Sequence, residues 1–177
     1  LETQKQLELC KQEADPKVQL EENMSPEAQE VLRKGNEFLV KIRKSNDAIP
    51  GEEISAKISR MELIVQKIFE RAGEHPEVIP DLKKLMDYYL PMTVKLLDAY
   101  EDMDGQPVQC ENITASKKEI EETIDTLNIA FEKLLDSIFR DTAWDVSTDI
   151  SVLHTVLAQE GLTEDDFEKM KQNAEVK

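Results

Sequence analysis

Apolar side chains recur along almost the whole chain at alternating steps of four and three, and no run of five or more residues alternates as a half-buried strand requires. A 3.5-residue period puts one stripe of each helix against a neighbour, so the pattern restricts the chain to helices packed at shallow angles. Residues 26–46 carry Ala28, Val31, Leu32, Phe38, Leu39 and Ile42 behind Ser25-Pro26, a favoured N-cap followed by a proline at the first helical position. Gly35 weakens that helix by up to about 1 kcal/mol and gives a neighbouring helix room to approach. A turn at Asn46–Gly51 leads to a second helix over about 52–72, with Ile54, Ile58, Met61, Val65, Ile68 and Ala72 on one stripe and Gly73 as its stop.

The spacing predicts a third long helix over about 80–102, opened by Pro80 and aligning Leu82, Leu85, Met86, Tyr89, Thr93, Leu96, Leu97 and Tyr100. Pro91 removes one backbone donor there, and a kink is expected near Asp87–Pro91. Residues 103–113 read as a loop. Ser116-Lys117-Lys118-Glu119 has the pattern of a capping box, so the next helix is expected to start there and to carry Ile120, Ile124, Leu127, Phe131, Leu134 and Ile138. Over Asp141–Ser147 the helix either continues or breaks at Trp144, before Val146, Ile150, Leu153 and Leu157 resume the stripe and Gly161 ends it. The expected fold is all-α: an antiparallel bundle of four to five long amphipathic helices with coiled-coil-like seams. Residues 1–24 form a helix-prone, poorly packed N-terminal segment, 25–162 the bundle, and 163–177 a short C-terminal helix or tail.

Of the 177 residues, 38 are acidic and 22 basic, giving a net charge of -16 that argues against a nucleic-acid partner. Residues 1–100 hold 15 basic against 19 acidic side chains and residues 101–177 hold 7 against 19, so the excess lies late in the chain. Arg33, Lys34, Lys41, Arg43 and Lys44 form the one local basic cluster. It reads as a helix surface with i,i+4 support, or as a face turned toward anionic lipid or an acidic partner. No run approaches the 18 apolar residues of a membrane helix. Cys10 and Cys110 read as reduced thiols. Asn112-Ile113-Thr114 fits a glycosylation acceptor, but nothing else points to secretion. Leu1 rather than Met opens the chain, so an upstream segment is expected to have been trimmed from it.

Hydrolytic or group-transfer chemistry needs a nucleophile or metal-bound water and groups that offset the charge developing at the reacting atom. His75 and His154 are the two histidines, without HExxH or a His-x-His pair, and no Gly-rich phosphate cradle is present. His75, before Pro76, reads as a solvent-exposed or capping residue, and His154 as a surface or boundary one. Glu121, Asp125, Asn128 and Glu132 share one helix face, with Asp125 and Glu132 the candidate ligands for a hard cation; Asp141, Asp145 and Asp149 repeat every four. The solvated face of an ordinary helix accounts for both sets. Tyr88-Tyr89 could present an aromatic to a partner, although Tyr89 fits the core series. No cofactor and no catalytic residue is assigned.

His75-Pro76-Glu77, Tyr88-Tyr89-Leu90-Pro91 and Lys95-Leu96-Leu97-Asp98-Ala99-Tyr100 resemble the XpaC-like family, named for 5-bromo-4-chloroindolyl phosphate hydrolysis. Lys117-Lys118-Glu119-Ile120-Glu121, Phe131-Glu132-Lys133-Leu134-Leu135-Asp136, Asp149-Ile150-Ser151-Val152-Leu153 and Gln159-Glu160-Gly161-Leu162 extend the resemblance over about residues 54–162. The resemblance implies a bacterial protein encoded beside TelA-like toxic-anion resistance proteins. It also implies a cytoplasmic domain that an upstream hydrophobic segment tethers to the membrane. The family name implies a phosphoric-ester hydrolase. The residues themselves favour a non-catalytic interaction or envelope-stress module with a protein partner, and the open seams suit a homo-oligomer.

Overall fold

The computed structural model describes residues 24–175 and consists of helices throughout, with no strand among the described residues. The segment expected over 1–24 lies outside them except for its last residue, as does Cys10. The helices are α1 (Pro26–Ala48), α2 (Glu52–Glu74), α3 (Leu90–Asp104), α4 (Glu111–Ile138), α5 (Arg140–Gln159) and α6 (Glu164–Glu175). A 3-10 segment (Pro76–Leu82) and a π turn (Leu85–Tyr89) link α2 to α3. None is long and apolar enough to cross a membrane.

The chain divides into two compact units, one ending at Ile138 and one starting at Phe139, a boundary inside the span expected to form one bundle. In the first unit α2 packs on α1 and α4, and α3 packs on the same two helices, so the order around the core is α1, α2, α4, α3. The all-α bundle is therefore what the seams of residues 26–138 build. Ser25 caps α1 as expected, its Oγ accepting from the Ala28 N–H at 3.3 Å with Pro26 in the first turn. The six expected stripe residues of α2 are all buried, and Ile64 and Phe69 join them. Gly35 is buried opposite Phe69: a Cβ built on it would lie 2.7 Å from the ring, so the missing side chain is what lets α1 approach α2 this closely.

The third helix departs from its expected course. Pro80 lies inside the 3-10 segment, and the α-helix starts at Leu90. Pro91 has no N–H for the Asp87 carbonyl, and the chain answers with the widened turn just before it, where the Leu90 N–H donates to the Leu85 carbonyl five residues back. Thr93 Oγ1 donates to the Tyr89 carbonyl at 2.6 Å, a further partner for the backbone at this irregularity. The extra residue resets the stripe. The buried series runs Leu82, Leu85, Leu90, Thr93, Leu97, Tyr100, with a step of five across the π turn. Leu90 occupies the core in place of Tyr89, which is 38% exposed with its ring 6.5 Å from that of Phe131.

Helix α4 also starts earlier than expected, at Glu111, so Ser116 lies in its second turn and does not cap it. Its entry is held by neighbouring side chains instead. Gln109 Nε2 donates to the Met103 and Gln106 carbonyls at 3.1 and 2.9 Å, and Thr114 Oγ1 donates to the Cys110 carbonyl at 3.1 Å. These contacts close the loop over residues 105–110 without a capping box.

In the second unit the break falls at Phe139, and α5 then runs unbroken through Asp141–Ser147 to Gln159. Gly161 ends it with φ +71°, the Leu162 N–H returning to the Leu157 carbonyl and the Gly161 N–H to Ala158, the bonds of a Schellman motif. No residue of α5 is buried.

Candidate functional site

Concavities with polar side chains occur at several places on the bundle, among them two that hold residues singled out in the sequence. The first is the seam between α2 and α4, where the carboxylate row of α4 finds its partners. Lys57 Nζ donates to Asp125 Oδ2 at 2.7 Å, and Arg60 pairs with Glu132. Between these pairs Asn128, 4% exposed, donates from Nδ2 to the Lys57 backbone carbonyl at 3.0 Å. One turn earlier, Glu121 accepts from the Tyr100 hydroxyl at 2.7 Å. The row read as a solvated face is thus the rim of α4 where it meets α2 and α3, and its third member is core. Ion pairs this exposed contribute about 0–1 kcal/mol each, so they align the helices more than they stabilise them. The Asp125 carboxylate, hydrogen-bonded to the Lys57 ammonium, raises the pKa of that lysine. Burial first, and the hydrogen bond to Glu121 second, push the Tyr100 phenol well above its usual range.

A cleft of about 600 Å³ opens over this seam. Asp125 and Glu132 are seven residues apart, about 10 Å along a helix axis, whereas a hard cation needs its oxygens within about 2.6 Å. Each instead meets a cation of α2, and Lys57 and Arg60 carry complementary charge on the facing helix. Among the described residues no three His, Cys, Asp or Glu side chains gather closely enough to hold a metal ion. Asn128 Oδ1 is buried without a hydrogen-bond partner.

The second surface is a groove of about 690 Å³ between α1 and the Pro76–Leu82 segment, continuing to the π turn. Its floor is apolar: Val31, Phe38, Ile79 and Met86, each half-buried and packed against the core. Val31 and Phe38 belong to the expected α1 stripe, but the buried series of that helix runs Ala28, Leu32, Gly35, Leu39, Ile42 and turns these two toward the groove. Lys34, Lys41 and Lys83 stand at its rim with Glu27, Glu37 and Asp87. The rest of the basic cluster is largely neutralised within the fold. Arg33 pairs with Glu30 and Glu37, and Arg43 lies 3.7 Å from Glu62, whose carboxyl is held above its usual range by burial. Lys41 sits 5.8 Å over the Phe38 ring, and Lys34 is 3.8 Å from Glu30.

His75 caps α2 through its backbone N–H on the Arg71 carbonyl, and its ring Nδ1 is 2.9 Å from the Glu77 carboxylate. His154, Asp141, Asp145 and Asp149 are exposed on α5, and Cys110 is an exposed free thiol. Tyr88 and Tyr89, the last two residues of the π turn, stack edge to face at 5.6 Å and are both exposed.

The sequence profile of the family described as 5-bromo-4-chloroindolyl phosphate hydrolysis protein matches residues 8–153. No curated protein and no solved structure matches the chain.

Proposed function

The chain belongs to the 5-bromo-4-chloroindolyl phosphate hydrolysis protein family, and on that premise we propose that it works by binding a protein partner rather than by catalysing ester cleavage. The observation that carries this reading is the groove between α1 and the Pro76–Leu82 segment, an open apolar floor rimmed by three lysines and three carboxylates. Such a surface accepts an apolar side-chain row while its mixed charges meet opposite charges of the partner, the chemistry of an amphipathic helix laid along a groove. The carboxylates best placed in sequence for metal chemistry support the same reading, because Asp125 and Glu132 are committed to Lys57 and Arg60. The partner we propose is a TelA-like toxic-anion resistance protein, and the setting an envelope-stress response at the cytoplasmic face of a membrane.

Calorimetric titration of the purified chain with a TelA-like protein from the same genome tests this. Saturable binding that disappears in Phe38→Glu/Met86→Glu, with the far-UV circular dichroism unchanged, is the expected result. Binding that survives those substitutions, or none with the wild-type chain, refutes the groove or the partner respectively. The alternative is the phosphate-ester hydrolase that the family description names, and the two readings part on turnover by the purified chain.

A further inference from the structure

Helix α5 places Ala143, Val146, Ile150, Leu153 and Leu157 at steps of three, four, three and four. Val146, Ile150 and Leu153 are 50%, 49% and 56% exposed, although an apolar stripe on a 20-residue helix is ordinarily turned to a partner. Most of the stability of a protein helix comes from packing its amphipathic face, so the order of this one depends on what covers that stripe. We propose that the stripe is covered by the same stripe of a second copy of this chain, the two α5 helices pairing in parallel as a short coiled coil.

Three features of the sequence in this geometry select a second copy. A strict 3.5-residue period keeps a stripe facing one helix of the same pitch, and here it holds from Ala143 to Leu157. With Ala143, Ile150 and Leu157 at the a positions, Val146 and Leu153 fall at d; β-branched Ile before Leu at successive a and d sites favours two parallel strands. The polar side chains then fall where a two-fold pair wants them. Asp149 takes a g position and His154 the e position five residues on, the spacing at which g of one strand meets e of the other. Symmetry therefore makes the carboxylate–imidazole contact twice. Asp141 and Asp145, which would repel their counterparts across a seam, fall at f and c on the outer face. The seam belongs to the second unit and requires no occupant in the groove of the first.

Light scattering on the full chain, over a concentration series reaching tens of micromolar (on the order of ordinary homodimer affinities), tests the pairing. The expected mass is twice that of one chain. Ile150→Asp/Leu153→Asp should return it to one chain, and Val152→Asp on the outer face should leave the dimer intact. Because these side chains all lie in the second unit, the bundle of the first unit should keep its cooperative thermal unfolding in each variant. A single-chain mass for the wild type overturns the proposal, as does a dimer that survives Ile150→Asp/Leu153→Asp or is lost in Val152→Asp. Orientation is read from Ala143→Cys in a Cys10→Ser/Cys110→Ser background. A parallel pair brings the two thiols together and oxidation cross-links it, whereas a dimer that does not cross-link overturns the parallel register.

Discussion

Replacing Gly35 with alanine separates local helix propensity from packing, because the two predict opposite signs. In an exposed helix interior the change stabilises by about 0.8–1 kcal/mol, since alanine is the best helix former and glycine nearly the worst. Here the new Cβ would lie 2.7, 2.7 and 2.8 Å from Cδ1, Cε1 and Cζ of Phe69. Phe69 is fully buried at 0% exposure, so its ring cannot swing into solvent. The contact has to be relieved by moving α1 away from α2 or by forcing the ring off its rotamer. Overpacking of that kind costs about 1–3 kcal/mol and outweighs the propensity gain. The expected net loss is up to about 2 kcal/mol, which at about 2–4 °C per kcal/mol for a chain of this size lowers the Tm by up to several degrees. Thermal and urea unfolding followed by circular dichroism read it. In the Gly35→Ala background Phe69→Leu should cost less than in the wild type, with a coupling above about 0.5 kcal/mol. A Tm that rises with Gly35→Ala, or strictly additive effects, would refute the close approach of α1 and α2 at this point.

Two further substitutions probe the polar groups of the bundle. Asn128→Leu removes a buried Oδ1 without a partner, whose burial costs about 1–3 kcal/mol, against the loss of one amide–carbonyl bond of about 1 kcal/mol. Urea unfolding should show a gain of about 1 kcal/mol, and a clear loss would mean that the amide is held by more than the Lys57 carbonyl. Glu62 has its carboxyl pKa raised by burial, so the folded state binds its proton more tightly than the unfolded state does. Its contribution to stability is full below about pH 4, the ordinary carboxylate range, and is lost as pH rises through the raised value. Glu62→Gln should therefore be the more stable protein at neutral pH, with the difference vanishing in acid; a variant less stable than wild type at pH 7 would show that the pairing with Arg43 outweighs burial.

The helices themselves were legible because each buried stripe is a local property: residues three and four apart share a face whatever surrounds them. What changed a stripe without changing composition was harder to see. Pro91 announces a disturbance, but only the five-residue step from Leu85 to Leu90 decides that Leu90 enters the core and Tyr89 leaves it. Ser116 and Glu119 have capping chemistry, yet the Gln109 and Thr114 contacts start the helix at Glu111. The candidate site depended on distance along the chain. Asp125 meets Lys57 across 68 residues and Glu132 meets Arg60 across 72, so no local spacing could distinguish a solvated row from an inter-helix seam. The usable signal was the pair Lys57 and Arg60, three apart on α2, complementary to the row on α4. The groove was hidden for a related reason, since Val31 and Phe38 look like core until the Pro76–Leu82 segment leaves a channel beside them.

On the function proposed above, the chain binds a partner and does not itself cleave phosphate esters. The direct measurement is release of indoxyl product from 5-bromo-4-chloroindolyl phosphate by the purified chain, with and without Mg²⁺ or Mn²⁺ at millimolar concentration. The expected rate equals that of buffer in every condition. Turnover that requires the metal and disappears in Asp125→Asn/Glu132→Gln, with the fold intact by circular dichroism, would contradict it and make the α2–α4 seam an active site.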